Sequence, residues 1–193
     1  MLEVLNHLDK SFFLFLNGIN SQSTDAFMFI ISQKAWVWLP LHLLSLYLLF
    51  KSKGKNIWLP LLAIIIIIVF SDQIASSIIK PLVQRLRPTH DSSIASLVHI
   101  VNGYKGGRYG FVSSHAANSI SIAIFLTLVI RKKWFTYLIV GWALLVSYTR
   151  IYLGVHYPGD ILGGFVVGAL VSLVVYYLYR WFEKKYLNEL SSI

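Results

Sequence analysis

The chain has 193 residues, enough for one domain; 56% are hydrophobic, 13% are charged, and the formal net charge is +9. An ordinary soluble domain is roughly a quarter charged, so this balance points to a membrane protein. Cysteine is absent, which excludes a disulfide framework and a thiolate metal site. The cations fall in short clusters between apolar runs instead of along one polar face, which argues against nucleic acid as a partner.

The opening stretch "MLEVLNHLDKSFF" lacks a basic region followed by an apolar core and a small-residue cleavage site, so no cleavable signal peptide is expected. Residues 1–24 mix apolar and polar positions and read as an interfacial helix, a turn and a helix start. A bilayer core of roughly 30 Å needs about 20 apolar residues in a helix. Five segments approach that length. The first covers residues 35–50, extended backwards over "AFMFIIS" from Ala26. The second covers residues 56–79 and carries one carboxylate, Asp72. Residues 111–130 form the third, and residues 134–149 a shorter fourth that ends near Arg150. The fifth covers residues 161–179, where glycines four apart at 159/163 and 164/168 predict close helix packing. The expected architecture is an all-α integral membrane protein. Its bundle of five transmembrane helices follows an interfacial N-terminal helix, and residues 1–193 form one domain.

Orientation follows from Lys and Arg in the short loops. "KSKGK", "RKK" and the tail bearing Arg180, Lys184 and Lys185 share one side of a five-span bundle, which is then cytoplasmic. Lys80, Arg85, Arg87, Lys105, Arg108 and Arg150 lie on the opposite face, against that rule, and need another explanation.

Three separated segments on that face supply reactive side chains. "KPLVQRLRP" gives Lys80 and Arg87, "FVSSHAANS" gives Ser113, Ser114 and His115, and "SYTRIYLGVHYPGD" gives Arg150, His156 and Asp160. His115, His156 and Asp160 have the chemistry of a metal site. Lys80, Arg87 and Arg150, however, would repel a cation and match the oxygens of a phosphate. With a phosphate in place, each residue finds a task. His156 can attack phosphorus if Asp160 holds its other ring nitrogen, and His115 can exchange the proton of the leaving oxygen. Ser113 and the Ser114 N–H, at a helix start, add donors, and the cations stabilise charge on the equatorial oxygens.

In these segments the chain resembles the type-2 phosphatidic acid phosphatase superfamily, whose signature is K-x6-R-P, P-S-G-H and S-R-x5-H-x3-D. The first part is intact as Lys80…Arg87-Pro88, and the third has Thr149 before Arg150…His156…Asp160. The second keeps Ser113 and His115 but has Val112 for proline and Ser114 for glycine, so the Ser114 side chain is expected to narrow the phosphate pocket. The resemblance implies a metal-independent phosphatase working through a phosphohistidine, with no cofactor. His156 would be nucleophile, Asp160 its partner and His115 the general acid and base. Lys80, Arg87, Ser113, Ser114 and Arg150 would bind phosphate. Soluble haloperoxidases share the signature, but the transmembrane pattern argues against that branch.

The expected partner is a phosphorylated membrane lipid, met at the extracytoplasmic face of a bacterial inner membrane. Undecaprenyl diphosphate is favoured over lipid A phosphates, phosphatidylglycerol phosphate and phosphatidic acid. A non-hydrolytic lipid-phosphate binder or transporter is the rival of another class, and the His156–Asp160 pair argues against it. The polar, glycine-rich segment 84–109 is long enough for a lid or head-group wall. Arg85 and Arg108 read as surface residues, Asp72 as a hydrogen-bond partner for a neighbouring helix, and Asn118 and Ser119 as polar support.

Overall fold

The computed structural model describes residues 2–187. Among them no strand forms beyond an isolated antiparallel bridge between Leu86 and Tyr109. The α-helices are α1 (Leu2–Gly18), α2 (Gln22–Gln33), α3 (Leu39–Lys53), α4 (Trp58–Gln73), α5 (Lys80–Val83), α6 (Ser114–Ile130), α7 (Lys133–Tyr152) and α8 (Pro158–Phe182).

The expected helix, turn and second helix start are present at the N-terminal end. Ser21 caps α2: its hydroxyl accepts from the Thr24 N–H, and Thr24 Oγ1 accepts from the Ser21 N–H. The backward extension of the first span is corrected. α2 ends at Gln33, Lys34 is extended (φ −108°, ψ 95°), and α3 begins at Leu39. The Trp38 indole N–H donates to the Ile31 carbonyl at 2.8 Å, satisfying an acceptor that the ended helix leaves open. Apolar character continues across this break, so composition conceals it.

By length and hydropathy, the stretches Ala35–Val83, Lys133–Tyr152 and Pro158–Lys185 can cross a membrane, and Ser114–Ile130 is a shorter apolar helix. The first stretch is not one rod. Gly54 (φ 54°, ψ −129°) sits between α3 and α4 in a conformation that a side chain resists. α4 then passes through a wider π turn, Ile74–Ile79, into α5.

α6 packs against α4, α7 and α8. Ile67, Ala123, Phe125, Phe135 and Ala143 are fully buried between them. α8 approaches α6 through the predicted glycines: a Cβ at Gly164 would lie 2.6 Å from the Ser113 carbonyl oxygen. The outward faces stay apolar, with Ile65, Val166, Leu170 and Leu178 all more than half exposed. So large an exposed apolar surface needs lipid against it.

Residues 84–113 fold over one end of the bundle, and α1 is pinned to the same end. Asn17, buried in α1, donates to the Ile151 and Tyr152 carbonyls at 3.1 and 2.8 Å and accepts from the His99 N–H at 2.8 Å. Side-chain bonds to backbone on both α7 and the loop fix this helix more firmly than an amphipathic face alone would.

Candidate active site

One cavity of about 470 Å³ is lined by Lys80, Arg87, Ser114, His115, Arg150 and His156. Residues far apart in the chain therefore meet in one cup. Asp160 lies behind His156, and Ser113 lies outside the lining.

His156 is 1% exposed. It precedes Tyr157, whose extended backbone caps α8, and Pro158 sits in the first helical turn. That turn returns the Asp160 carboxylate. Oδ2 accepts from the Tyr157 N–H at 3.0 Å and lies 3.3 Å from His156 Nδ1. On the other side of the ring, Arg87 Nη1 is 3.1 Å from Nε2. A guanidinium only donates, so Nε2 is an acceptor and the ring proton sits on Nδ1, facing Asp160. Burial, then the charges of Arg87, Arg150 and Lys80, hold the imidazole neutral, well below the usual histidine range.

The three cations are each braced. Arg87 Nε donates to the Tyr109 carbonyl and Nη1 to the Val155 carbonyl, both at 3.1 Å. Backbone bonds from Arg87 N to Arg108 O (3.1 Å) and from Gly110 N to Arg85 O (2.8 Å) hold this stretch extended. Arg150, in the last turn of α7, donates to Ser32 Oγ at 2.6 Å and to the Tyr104 hydroxyl at 2.9 Å, while its buried Nε has no partner. Lys80 donates to Ser114 Oγ, which lies 2.8 Å from Ser76 Oγ. Asp72 Oδ1 lies 3.5 Å from both Ser76 Oγ and Asn118 Nδ2. Its expected bond to a neighbouring helix is thus a long contact to α6. Gathering three cations around one cavity is costly by itself, and an anion between them relieves the cost.

Ser113 sits behind the cup. It is fully buried and serves as the N-cap of α6, its hydroxyl accepting from the Ala116 N–H at 3.4 Å and its own N–H donating to the Asp160 carbonyl at 2.9 Å. Its N–H and its hydroxyl oxygen are engaged inside the fold. Among the described residues, the N–H groups of Ser114 and His115 have no partner and are the open donors of this helix start. The Ser114 hydroxyl occupies the Lys80 ammonium and Ser76.

The surface reading of Arg85 is corrected. Arg85 Nη1 donates to Asp160 Oδ1 at 2.9 Å and Nη2 to Asp9 Oδ2 at 2.7 Å, with the guanidinium 4.2 Å from the Tyr157 ring centroid. Asp9 Oδ1 in turn accepts from the Gly159 N–H at 2.8 Å. Period-two alternation along "RLR" puts Arg85 and Arg87 on one side of the extended stretch, a signal available in the sequence. Asp9, on an amphipathic helix far from Arg85 in the chain, carried none. Gly110 was also missed: a Cβ there would lie 2.7 Å from Asp160 Oδ2. Arg108 is exposed beside the Tyr109 ring, as expected.

This geometry has counterparts in known proteins. Residues 57–184 match the PAP2 superfamily. The chain belongs to that family. Over 180 residues it is 44% identical to the lipid A 4'-phosphatase of Bacteroides thetaiotaomicron, covering 92% of this chain and 80% of that protein. Over 188 residues it is 36% identical to the lipid A 4'-phosphatase of Porphyromonas gingivalis, covering 97% and 79%. The fold is similar to the crystal structure of Aquifex aeolicus LpxE, with a TM-score of 0.64 at 22% identity, covering 87% of this chain and 94% of that one. This PAP2 protein is an integral membrane lipid phosphatase, a phosphoric ester hydrolase, with several apolar helices.

Proposed function

We propose that the chain removes a phosphate monoester from a lipid A-type lipid through a phosphohistidine at His156. The observation that carries the reading is the orientation of His156: Nε2 holds its lone pair toward a cup of three cations, with Nδ1 backed by Asp160.

Binding would draw Arg87 Nη1 from Nε2 to a phosphate oxygen, leaving phosphorus opposite the ring nitrogen. Nε2 then bonds to phosphorus as the bond to the leaving oxygen breaks, and His115, which takes up a proton once the bound phosphate offsets the three cations, gives that oxygen its proton. Asp160 stabilises the positive charge that appears on the imidazole. Water attacks phosphorus in the second step, the P–N bond breaks, and His115 takes the proton, releasing phosphate. Lys80, Arg87, Arg150 and the Ser114 and His115 N–H groups stabilise the oxygens throughout. The cations do the work that a metal would otherwise do, so the reaction is metal-independent.

The described helices fit one catalytic unit of five membrane crossings, α3, α4–α5, α6, α7 and α8, with α1 and α2 at the site-bearing end. The Lys and Arg clusters in the short loops at the end away from the site support a site that faces the periplasmic side of the inner membrane. A lipid phosphate reaches it with its chains still in the bilayer. The preference for undecaprenyl diphosphate gives way to lipid A because the two relatives above act on lipid A, at 44% and 36% identity.

The test is phosphate release by the purified protein from lipid A, phosphatidic acid and undecaprenyl diphosphate, each with chelator present. Release from lipid A that survives chelation and vanishes in His156→Ala supports the proposal. Lipid binding without turnover on any substrate makes the protein a binder instead.

A further inference from the structure

The reacting groups occupy one end of the cavity. Its other end is lined by Asp72, Asn118, Trp142 and His42, none of which the chemistry uses. Asp72 lies about 12 Å along the helix axis from Lys80. Asn118 lies one turn beyond His115 on the same face of α6. At that depth in a bundle an apolar lining costs least, so polar groups there call for a reason.

These groups have unused hydrogen-bonding capacity. Asn118 Nδ2 reaches toward Asp72, and Asn118 Oδ1 is buried without a partner. The Trp142 indole N–H is also buried without a partner. His42 Nδ1 is 2.7 Å from the Trp38 carbonyl oxygen, so it carries the ring proton and leaves Nε2 as an acceptor. The His42 and Trp142 rings pack edge to face at 5.9 Å. The wall therefore presents one indole donor and several acceptors, and a ligand with hydroxyl groups both donates to and accepts from such a set.

Placement relative to the reaction says which part of the substrate this is. His115 gives its proton to the leaving oxygen, so the leaving group extends from His115 along α6 toward Asn118. We propose that this end of the cavity is a subsite for a neutral, hydroxyl-bearing leaving group, the sugar ring of a phosphorylated glycolipid, read by Asn118, Trp142, Asp72 and His42. The inference rests on the phosphatase reading with His115 as proton donor. The leaving group of a polyprenyl diphosphate is a phosphate monoester, an anion that would face the Asp72 carboxylate. A diacylglycerol leaving group offers no spare hydroxyls and leaves the wall unpaired. Sites built to pair with substrate hydroxyls discriminate strongly against analogues that lack them.

The test compares kcat/KM for an acylated glucosamine 4-phosphate with that for dioleoyl phosphatidate, in wild type, Trp142→Phe and Asn118→Ala. Trp142→Phe keeps an aromatic ring on the wall and removes the indole N–H together with the five-membered ring that carries it, and Asn118→Ala tests the same wall without touching that packing. The ratio of glycolipid to phosphatidate kcat/KM should fall about tenfold in each variant, mostly through KM, with thermal midpoints held near wild type. An unchanged ratio, whether both rates drop together or neither moves, overturns the subsite while leaving the phosphatase reading intact. Wild-type protein that hydrolyses neither lipid overturns both.

Discussion

Arg85 is predicted to act through Asp160 and not on the substrate, and Arg85→Gln separates the two. Asp160 is fully buried and the Arg85 side chain is 21% exposed, with 2.9 Å between their charged atoms. Removing one partner of a buried pair costs about 3–5 kcal/mol, and here Asp160 keeps the Tyr157 N–H and His156, so the loss is scaled to about 2–3 kcal/mol. If that loss falls on the positive imidazole of the phosphorylation step, kcat drops about 30- to 150-fold. KM stays within about threefold, because Arg85 is outside the cavity lining. Asp9→Asn can keep the bond from Arg85 through its amide oxygen but loses the charge and the second acceptor facing the Gly159 N–H, so a smaller fall of about three- to tenfold is expected. Arg85→Lys restores part of the rate. The assay is steady-state phosphate release from the purified protein, with thermal unfolding followed in parallel. A rise in KM at constant kcat would mean that Arg85 holds phosphate directly, and a kcat within twofold of wild type would refute the coupling.

Further predictions concern the same end of the molecule. Gly110→Ala places a Cβ 2.7 Å from Asp160 Oδ2, so the carboxylate must shift from His156; kcat should fall tenfold or more, and an unaffected rate would show that Asp160 need not hold its position. Ser114→Gly frees Lys80 from its hydroxyl partner and is expected to lower KM for phosphorylated lipids without loss of expression; a collapse in expression would make Ser114 a packing residue. His156 is held neutral in the fold, while an unfolded histidine takes up a proton below about pH 6.5. Its contribution to stability is therefore intact above about pH 6.5 and is lost as pH falls below it, by up to about 1.4 kcal/mol per pH unit. The thermal midpoint should decline on acidification across that window and decline less steeply in His156→Gln; identical slopes would refute a neutral His156.

How much of this was legible in the sequence depends on the range of the interactions. The apolar runs read directly, since hydropathy is a property of consecutive residues, and the four-residue glycine spacing read as helix packing for the same reason. His156 and Asp160 were legible because a single turn joins them. The break at Lys34 was hidden because backbone direction changes without any change in hydropathy. Arg85 was readable in principle from its alternation with Arg87, but Asp9 was not, since 76 residues separate it from Arg85. Ser113 was ambiguous in the sequence because a serine before a helix serves equally well as a cap or as a ligand donor. The structure shows the cap, with the Ser113 hydroxyl accepting from the Ala116 N–H.

The central claim is tested most directly by trapping the intermediate. Protein mixed with lipid A radiolabelled in its phosphate and quenched within the first turnover should carry phosphate on His156, stable in alkali and lost in acid. His115→Ala should form it more slowly than wild type, because the leaving oxygen loses its proton donor, and His156→Ala should carry none. Label that persists in His156→Ala, or lipid hydrolysis with no phosphoenzyme at any time point, would contradict the account.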